Sequence, residues 1–308
     1  MNLLLKISRQ FKELVERTKA ERESAPDEGF FDVCMIADKK FFPYTCVTFA
    51  SVLSHLKTSR TIRFFLITND NIDAPSLAAF EDLKKIQTFH FFPILSSSEG
   101  FRGLKTTEGI SDATYLRLRM PELLPLNCTT VLYLDSDLVV VDNFCTEYED
   151  FIAKKQVIAG VEDGSSLVYK KRYGQSRKAK HINAGVILLN LDLLRKANFS
   201  KVINFFCESR KYTLNLGDQE IINFICGDII SYLHPRWNLH GRMHEKAWRS
   251  TLVGRDNEMN IQEVEEANTS PGIVHFTYKR KPWTGYKHPF SSLWFEAAQK
   301  TVYRKKFK

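Results

Sequence analysis

Near the N-terminus, apolar residues recur at helical spacing. Leu4, Ile7, Phe11, Leu14 and Val15 share one face, while Lys6, Arg9, Lys12, Arg17 and Lys19 lie elsewhere. The pattern predicts a helix that ends before Ala25-Pro26-Asp27-Glu28-Gly29, a hinge sequence. Packing on the body is the default for such a helix; pairing with a second copy or lying on a membrane are the alternatives. From Phe30 the pattern changes to short apolar runs alternating with helical segments. Strands are expected at 31–37, 62–68, 89–92 and 131–134, with helices at 44–56, 76–86 and around 112–120. Further strands are expected at 157–161 and 186–191, helices at 199–211 and 218–226, and a last strand at 273–275. Residues 241–270 show weak periodicity and read as loop-rich. Strands alternating with helices imply an α/β fold of βαβ units around a mostly parallel sheet. Such sheets bind ligands beyond the carboxyl ends of their strands, which directs attention to the residues after Ala37 and Leu134.

The chain has 308 residues, 44% hydrophobic and 26% charged, with 14 Gly and 10 Pro. That excludes a disordered or collagenous chain and leaves enough residues for a sizeable core. No apolar run reaches the roughly 20 residues of a membrane span, and no export signal is expected. The six cysteines show neither CxxC pairs nor metal-ligand spacing with His, so buried reduced thiols are expected. The net charge of +8 is uneven. Residues 279–308 hold nine basic residues and one acid, and residues 170–180 hold six basic residues and no acid. Charge gathered in one loop and one tail, rather than along a groove, argues against nucleic acid as a partner. An anionic membrane surface or acidic acceptor is one explanation, and plain solvation the other. The organisation expected is an amphipathic helix and hinge over 1–28, a catalytic domain over 29–290, and a basic aromatic tail over 291–308.

The sharpest local chemistry is Val131-Leu132-Tyr133-Leu134-Asp135-Ser136-Asp137-Leu138-Val139-Val140. Two carboxylates between buried apolar runs call for a compensating cation. At i and i+2 of an extended segment both side chains leave on one face, which suits a hard divalent ion. A strand-end turn with solvated aspartates is the plain alternative for any D-x-D. A second cluster is Ile273-Val274-His275-Phe276-Thr277-Tyr278-Lys279-Arg280-Lys281-Pro282-Trp283. Here His275 could be a third metal ligand and Lys281 could neutralise a diphosphate. A core histidine beside a basic surface loop is the alternative.

Taken in order, Ala37-Asp38, Thr114-Tyr115-Leu116-Arg117-Leu118, Tyr133 to Asp137, Asn183-Ala184-Gly185-Val186, Gly217-Asp218-Gln219-Glu220 and His275 with Lys281-Pro282-Trp283 resemble the retaining glycosyltransferases of family 8. The likeness is greatest to the bacterial lipopolysaccharide galactosyl- and glucosyltransferases, and runs from about Phe30 to the C-terminus. It implies a GT-A (nucleotide-diphospho-sugar transferase) fold, a UDP-galactose or UDP-glucose donor, and Mn²⁺ or Mg²⁺. Carried over position by position, Asp135, Asp137 and His275 would be the metal ligands. Ala37, Asp38, Phe41, Arg117, Asp135, Ser136, Asn183, Ala184 and Lys281 would bind the donor, with Phe41 stacking on uracil and Lys281 clamping the diphosphate. Asp163, Asp218 and Gln219 would lie at the reacting sugar. Phe41 could instead belong to the core, Arg117 to a surface ion pair, and Asp218 with Gln219 to a helix start. Two departures stand out: Lys40 and Phe41 replace the family's frequent Asn and Tyr, and Tyr278 replaces a frequent Gly.

The reaction implied is transfer of a hexose with retention to a hydroxyl of a lipopolysaccharide core or other surface glycan or glycolipid. Gln219 is an amide, which favours attack from the face the leaving group departs; a covalent route through Asp163 or Asp218 stays open. The expected location is the cytoplasm, peripherally on the inner face of the membrane. A nucleotidyltransferase should show a Gly-rich loop after the first strand, and none follows Asp38. A catalytically inactive sugar-binding protein would not need Asp135, Asp137, His275 and Gln219 together.

Overall fold

In the computed structural model, residues 2–20, 29–97, 99–101, 112–164, 180–209, 217–250 and 259–307 are described. The strands are β1 (Phe30–Ile36), β2 (Thr61–Thr68), β3 (His90–Leu95), β4 (Thr130–Leu134), β5 (Leu138–Val140), β6 (Ile158–Glu162), β7 (Ile182–Asn190), β8 (Ile230–Tyr232), β9 (Leu239–His240) and β10 (Ile273–His275). Seven form one sheet in the order β3-β2-β1-β4-β7-β6-β8, and β5-β10-β9 form a second. In the large sheet β7 alone runs antiparallel to its neighbours, so the sheet is mostly parallel, as the alternating pattern implies. Strands such as β1, β2 and β4 are buried almost throughout because helices cover both faces, which is why they read as continuous apolar runs.

After β1 the chain winds outward through β2 and β3, then returns to place β4 on β1's other side. The crevice between the carboxyl ends of β1 and β4 is therefore a topological switch point. The D-x-D turn leaves β4 there and runs straight into β5 of the small sheet.

The helices are α1 (Asn2–Ala20), α2 (Phe42–His55), α3 (Ala74–Asp82), α4 (Met120–Leu123), α5 (Cys145–Ala153), α6 (Leu191–Lys196), α7 (Phe199–Ser209), α8 (Asp218–Cys226), α9 (Lys246–Ser250), α10 (Ile261–Thr269) and α11 (Ser291–Gln299). Helix α1 is docked on the body. Phe11 and Val15 are buried, Phe11 meets Phe199 of α7, and Ser8 Oγ reaches the Phe224 and Ile225 carbonyls of α8.

Three expectations need correction. The stretch 112–120 is a 3-10 run, Asp112–Arg119, followed by the short α4. The region 241–270 is not wholly loop, since α9 and α10 fall within it; Val264 and Ala267, at i and i+3, form the buried seam of α10. The expected tail 291–308, as far as it is described (to Phe307), does not hang free. Trp294, Ala297 and Ala298 of α11 are buried, and Phe307 packs on Trp294 and Tyr44 of α2. Its basic residues Lys300, Arg304, Lys305 and Lys306 remain exposed. The hinge at 25–29 (save Gly29) and the basic loop 170–180 (save Lys180) lie outside the described residues. The cysteines are free thiols, five buried and Cys145 half-buried.

Candidate active site

The motif turn is fixed from beneath by α2. Thr45, Thr48 and Ser51 recur every three residues on one face of that helix and are fully buried. Thr45 Oγ1 meets Ser136 Oγ at 2.8 Å, Thr48 Oγ1 reaches the Leu138 carbonyl at 2.8 Å, and Ser51 Oγ accepts from Val140 N at 2.9 Å. Three such bonds, worth about 1 kcal/mol each, hold the turn on a rigid element. The Ser136 hydroxyl, expected at the donor, is thus turned into the scaffold. Thr45 also donates to the Phe41 carbonyl at 3.0 Å, tying the two strand ends together.

Arg117 is buried rather than on the surface. Its Nη2 donates to Asp135 Oδ1 at 2.6 Å and to the Tyr133 hydroxyl at 2.9 Å. Its Nη1 donates to the Ala184 carbonyl at 2.7 Å and stands 3.0 Å from Asp218 Oδ2. The guanidinium therefore holds Asp135, Asp218 and β7 in mutual register. Burial, opposed by Arg117, pushes the Asp218 carboxyl up to about 6.

His275, at the end of β10, places Nε2 3.0 Å from Asp137 Oδ1 and 3.6 Å from Asp135 Oδ2. Lys281 Nζ bonds Asp137 Oδ2 and the Phe276 carbonyl. Burial alone would raise the Asp137 carboxyl, but Lys281 and His275 outweigh it and hold it well below the ordinary carboxylate range. Ligand atoms of Asp135, Asp137 and His275 all lie within 4.8 Å of one another, two hard carboxylates and one imidazole. That donor set fits a divalent ion such as Mn²⁺. Gly185 makes the convergence possible: a Cβ there would lie 2.1 Å from His275 Cε1 and 2.8 Å from Asp135 Oδ2.

The expected sugar-facing residues gather beside this cluster. A bulge in β6 between Gly160 and Glu162 re-aims the strand end that carries Asp163. Gly217, at φ 57°, turns the chain into α8 so that Asp218 and Gln219 open the helix. Gln219 Nε2 donates to Asp163 Oδ2 at 2.9 Å, and its Oε1 accepts from Asn183 Nδ2 at 3.2 Å and Ala184 N at 3.0 Å.

Ala37, Asp38 and Phe41 lie at the β1 side of the crevice. Ala37 is buried, and Asp38 Oδ1 accepts from Phe41 N at 3.2 Å. The adjacent phenylalanines divide the two roles open to them: Phe42 is 1% exposed and belongs to the core, whereas Phe41 is 40% exposed. Tyr278 keeps a backbone shape that favours glycine, with φ 58°, and its side chain is exposed.

One residue of this network escaped the sequence reading. Asn238, on the 3-10 turn Pro235–Asn238, is fully buried between His275 and Asn183. An asparagine in an aperiodic stretch carries no spacing signal; a buried partner for the second nitrogen of a ligating histidine was the feature to look for.

A mixed sheet with a cluster suited to a divalent ion at its switch point, flanked by an amide and carboxylates, is the arrangement expected of a GT-A glycosyltransferase. The profile described as "Glycosyl transferase family 8" matches residues 32–286, and the chain belongs to that family. It is 27% identical over 266 residues to General stress protein A of Bacillus subtilis, covering 84% of this chain and 90% of that protein. It is 23% identical over 278 residues to the lipopolysaccharide 1,3-galactosyltransferase of Salmonella typhimurium, covering 88% and 78%. Among solved structures, the galactosyltransferase LgtC in complex with donor and acceptor sugar analogues superposes with a TM-score of 0.76 at 25% identity, covering 90% of this chain and all of that one.

Proposed function

We propose that this glycosyltransferase moves galactose or glucose from a UDP-sugar, with retention, to a hydroxyl of a surface glycan or glycolipid such as a lipopolysaccharide core. The observation that carries the reading is the meeting of Asp135, Asp137, His275 and Lys281 with Asp163, Asn183 and Gln219 in one hydrogen-bonded array.

In this reading Phe41 stacks on the base and Asp38 receives its N–H. Lys281 moves its ammonium from Asp137 toward the diphosphate, where it opposes the charge that develops as the leaving group departs. Asp135, Asp137 and His275 hold a divalent cation, Mn²⁺ or Mg²⁺, which when bound supplies electrostatic stabilisation of the same oxygens. Asp163, Asn183 and Ala184 orient the hexose. Gln219 is tied at both ends of its amide, so it meets the sugar in one fixed orientation and stabilises positive charge there without reorganisation. Asp218, 2% exposed and faced by Arg117, is poorly placed as a nucleophile, whereas Asp163 is half-exposed.

The exposed Lys300, Arg304, Lys305 and Lys306 support a peripheral contact with an anionic inner leaflet, each worth about 1 kcal/mol near such a surface. Among the described residues no helix is long and apolar enough to cross a membrane.

The decisive assay is UDP release from a panel of UDP-sugars, with Mn²⁺ and with EDTA. Slow metal-dependent hydrolysis of one UDP-hexose is expected. Asp137→Asn should abolish it, and Gln219→Ala should keep UDP affinity while losing most turnover. Pyrophosphate release, or no turnover of any UDP-sugar, refutes the reading.

A further inference from the structure

The site's two halves are joined by an unbroken line of amides whose direction can be deduced. Asp163 is a carboxylate and can only accept, so Gln219 must present its Nε2 there, at 2.9 Å. Ala184 N–H can only donate, which independently requires Gln219 Oε1 on that side, at 3.0 Å. Gly185 N–H can also only donate, so the Asn183 oxygen faces it at 3.0 Å and the Asn183 nitrogen faces Gln219 Oε1. Asn238 must then offer Nδ2 to Asn183 Oδ1, at 2.9 Å, leaving its own Oδ1 to face His275 Nδ1 at 3.0 Å. An oxygen there accepts, so Nδ1 carries a proton, and Nε2, which faces the Asp137 and Asp135 oxygens, is the nitrogen left to a cation when one is bound. The Nδ1 proton of the histidine is therefore dictated by a carboxylate and two backbone N–H groups that lie on other elements.

We propose that Asn238 is the positioning residue of this line: it sets the ring of His275 for metal and, through Asn183, holds the Gln219 amide for the sugar. Every donor points the same way, from His275 to Asp163, so each bond polarises the next. Asn238 is 0% exposed, which denies water the chance to substitute for either of its bonds. The inference rests on the reading that Asp135, Asp137 and His275 hold a divalent cation.

Two substitutions separate the halves. Asn238→Asp keeps an acceptor for His275 Nδ1–H but has no donor for Asn183. Asn238→Ala removes both bonds. Mn²⁺ affinity is measured on the purified protein by the electron paramagnetic resonance of free Mn²⁺, folding by circular dichroism melts, and kcat and KM at saturating Mn²⁺. For Asn238→Ala, Mn²⁺ affinity should fall about 10–100-fold, the usual loss when a ligating histidine loses its partner. Asn238→Asp should bind Mn²⁺ close to the wild-type affinity yet lose at least about tenfold in kcat, with KM for donor little changed. A purely structural role would instead move melting temperature, affinity and kcat together. Wild-type affinity in Asn238→Ala, equal loss of affinity in both variants, or wild-type kcat in Asn238→Asp each overturns the proposal. If Asn238→Ala does not fold, the isosteric Asp variant alone decides it by its split between affinity and kcat. Failure of the wild-type protein to bind Mn²⁺ overturns the cation reading itself and is seen before any variant is compared.

Discussion

Replacing Gly185 with Ala tests the site's geometry without touching any of its functional groups. Gly185 lies in β7 and does not hold a positive φ, so alanine meets no backbone penalty there. The new methyl would start 2.1 Å from His275 Cε1, 2.7 Å from Nδ1 and 2.8 Å from Asp135 Oδ2. Comfortable carbon–carbon contact begins at about 3.5 Å, so the ring must retreat by roughly 1.4 Å. That displacement takes His275 out of hydrogen-bond reach of Asn238 or Asp137, both now at 3.0 Å. Overpacking of this kind costs about 1–3 kcal/mol, or about 2–10 °C in Tm for a chain of this size. The effect on cation binding should be larger in proportion. If affinity falls tenfold, the stabilisation conferred by Mn²⁺ at a hundred times the wild-type Kd drops from about 2.7 to about 1.4 kcal/mol. Thermal melts of Gly185→Ala and wild type, each with Mn²⁺ and with EDTA, read both quantities together. The expected result is a lower Tm in EDTA and a markedly smaller rise on adding Mn²⁺. An undiminished Mn²⁺-induced rise would show that His275 and Asp135 do not have to approach Gly185 to bind the ion, and the argument would fall.

Four further outcomes are expected. Tyr278→Gly should raise stability by about 1 kcal/mol in urea titrations, because φ 58° is a shape that glycine adopts without strain; an unchanged or lower midpoint refutes stored strain. The His240 ring is held at about 3 by burial and by His275, below its unfolded value of about 6.5. The unfolded chain therefore binds the extra proton between those values, so the stabilisation is complete above pH 6.5 and lost as pH falls toward 3. The slope is roughly 1.4 kcal/mol per pH unit, and His240→Gln should flatten the loss between pH 6.5 and 5; an identical slope in the variant refutes the assignment. Deleting the residues after Gln299 removes the buried Phe307 and should lower stability by about 3–5 kcal/mol, so loss of vesicle binding in that deletion says nothing about charge. Arg304→Gln with Lys305→Gln tests charge alone, and salt-insensitive sedimentation with anionic vesicles would refute an electrostatic contact.

Much of the fold could be read from the sequence because a buried parallel sheet writes itself as short apolar runs. Of the small sheet only β10 could be read, as the apolar run at 273–275; β5 has three residues and β9 two, too few to establish a period. Helix α11 was masked by the basic residues that follow it, although Trp294 and Ala298 already stand four apart on its buried face. At the site, Asp135, Asp137 and His275 could be recognised because their residue types are unusual where they occur, whereas Gln219 stood out only through the ordered motifs of the family resemblance. Thr45, Thr48 and Ser51 could not, because hydroxyls in a helix are common and their partners lie about ninety positions away. Arg117 stands out in the sequence only by its place in a motif, and the fold alone reveals that it serves the carboxylates as well as β7.

The split of the carboxylates between two sheets also has a consequence for the order in which a growing chain becomes competent. His275 and Asp137 stand 138 positions apart, and Lys281 is further still from its partner. While a ribosome is still translating the region before β10, β1, β2 and β4 can already pair, and Arg117 can already hold Asp135. Asp137 then has neither the imidazole nor the ammonium that faces it, and β5 has no antiparallel neighbour. Docking of β10 supplies the missing strand, the imidazole and, six residues later, the ammonium. The carboxylate-rich turn is thus laid down well before the strand and the basic side chain that complete it, and a chain that stops short of β10 lacks both.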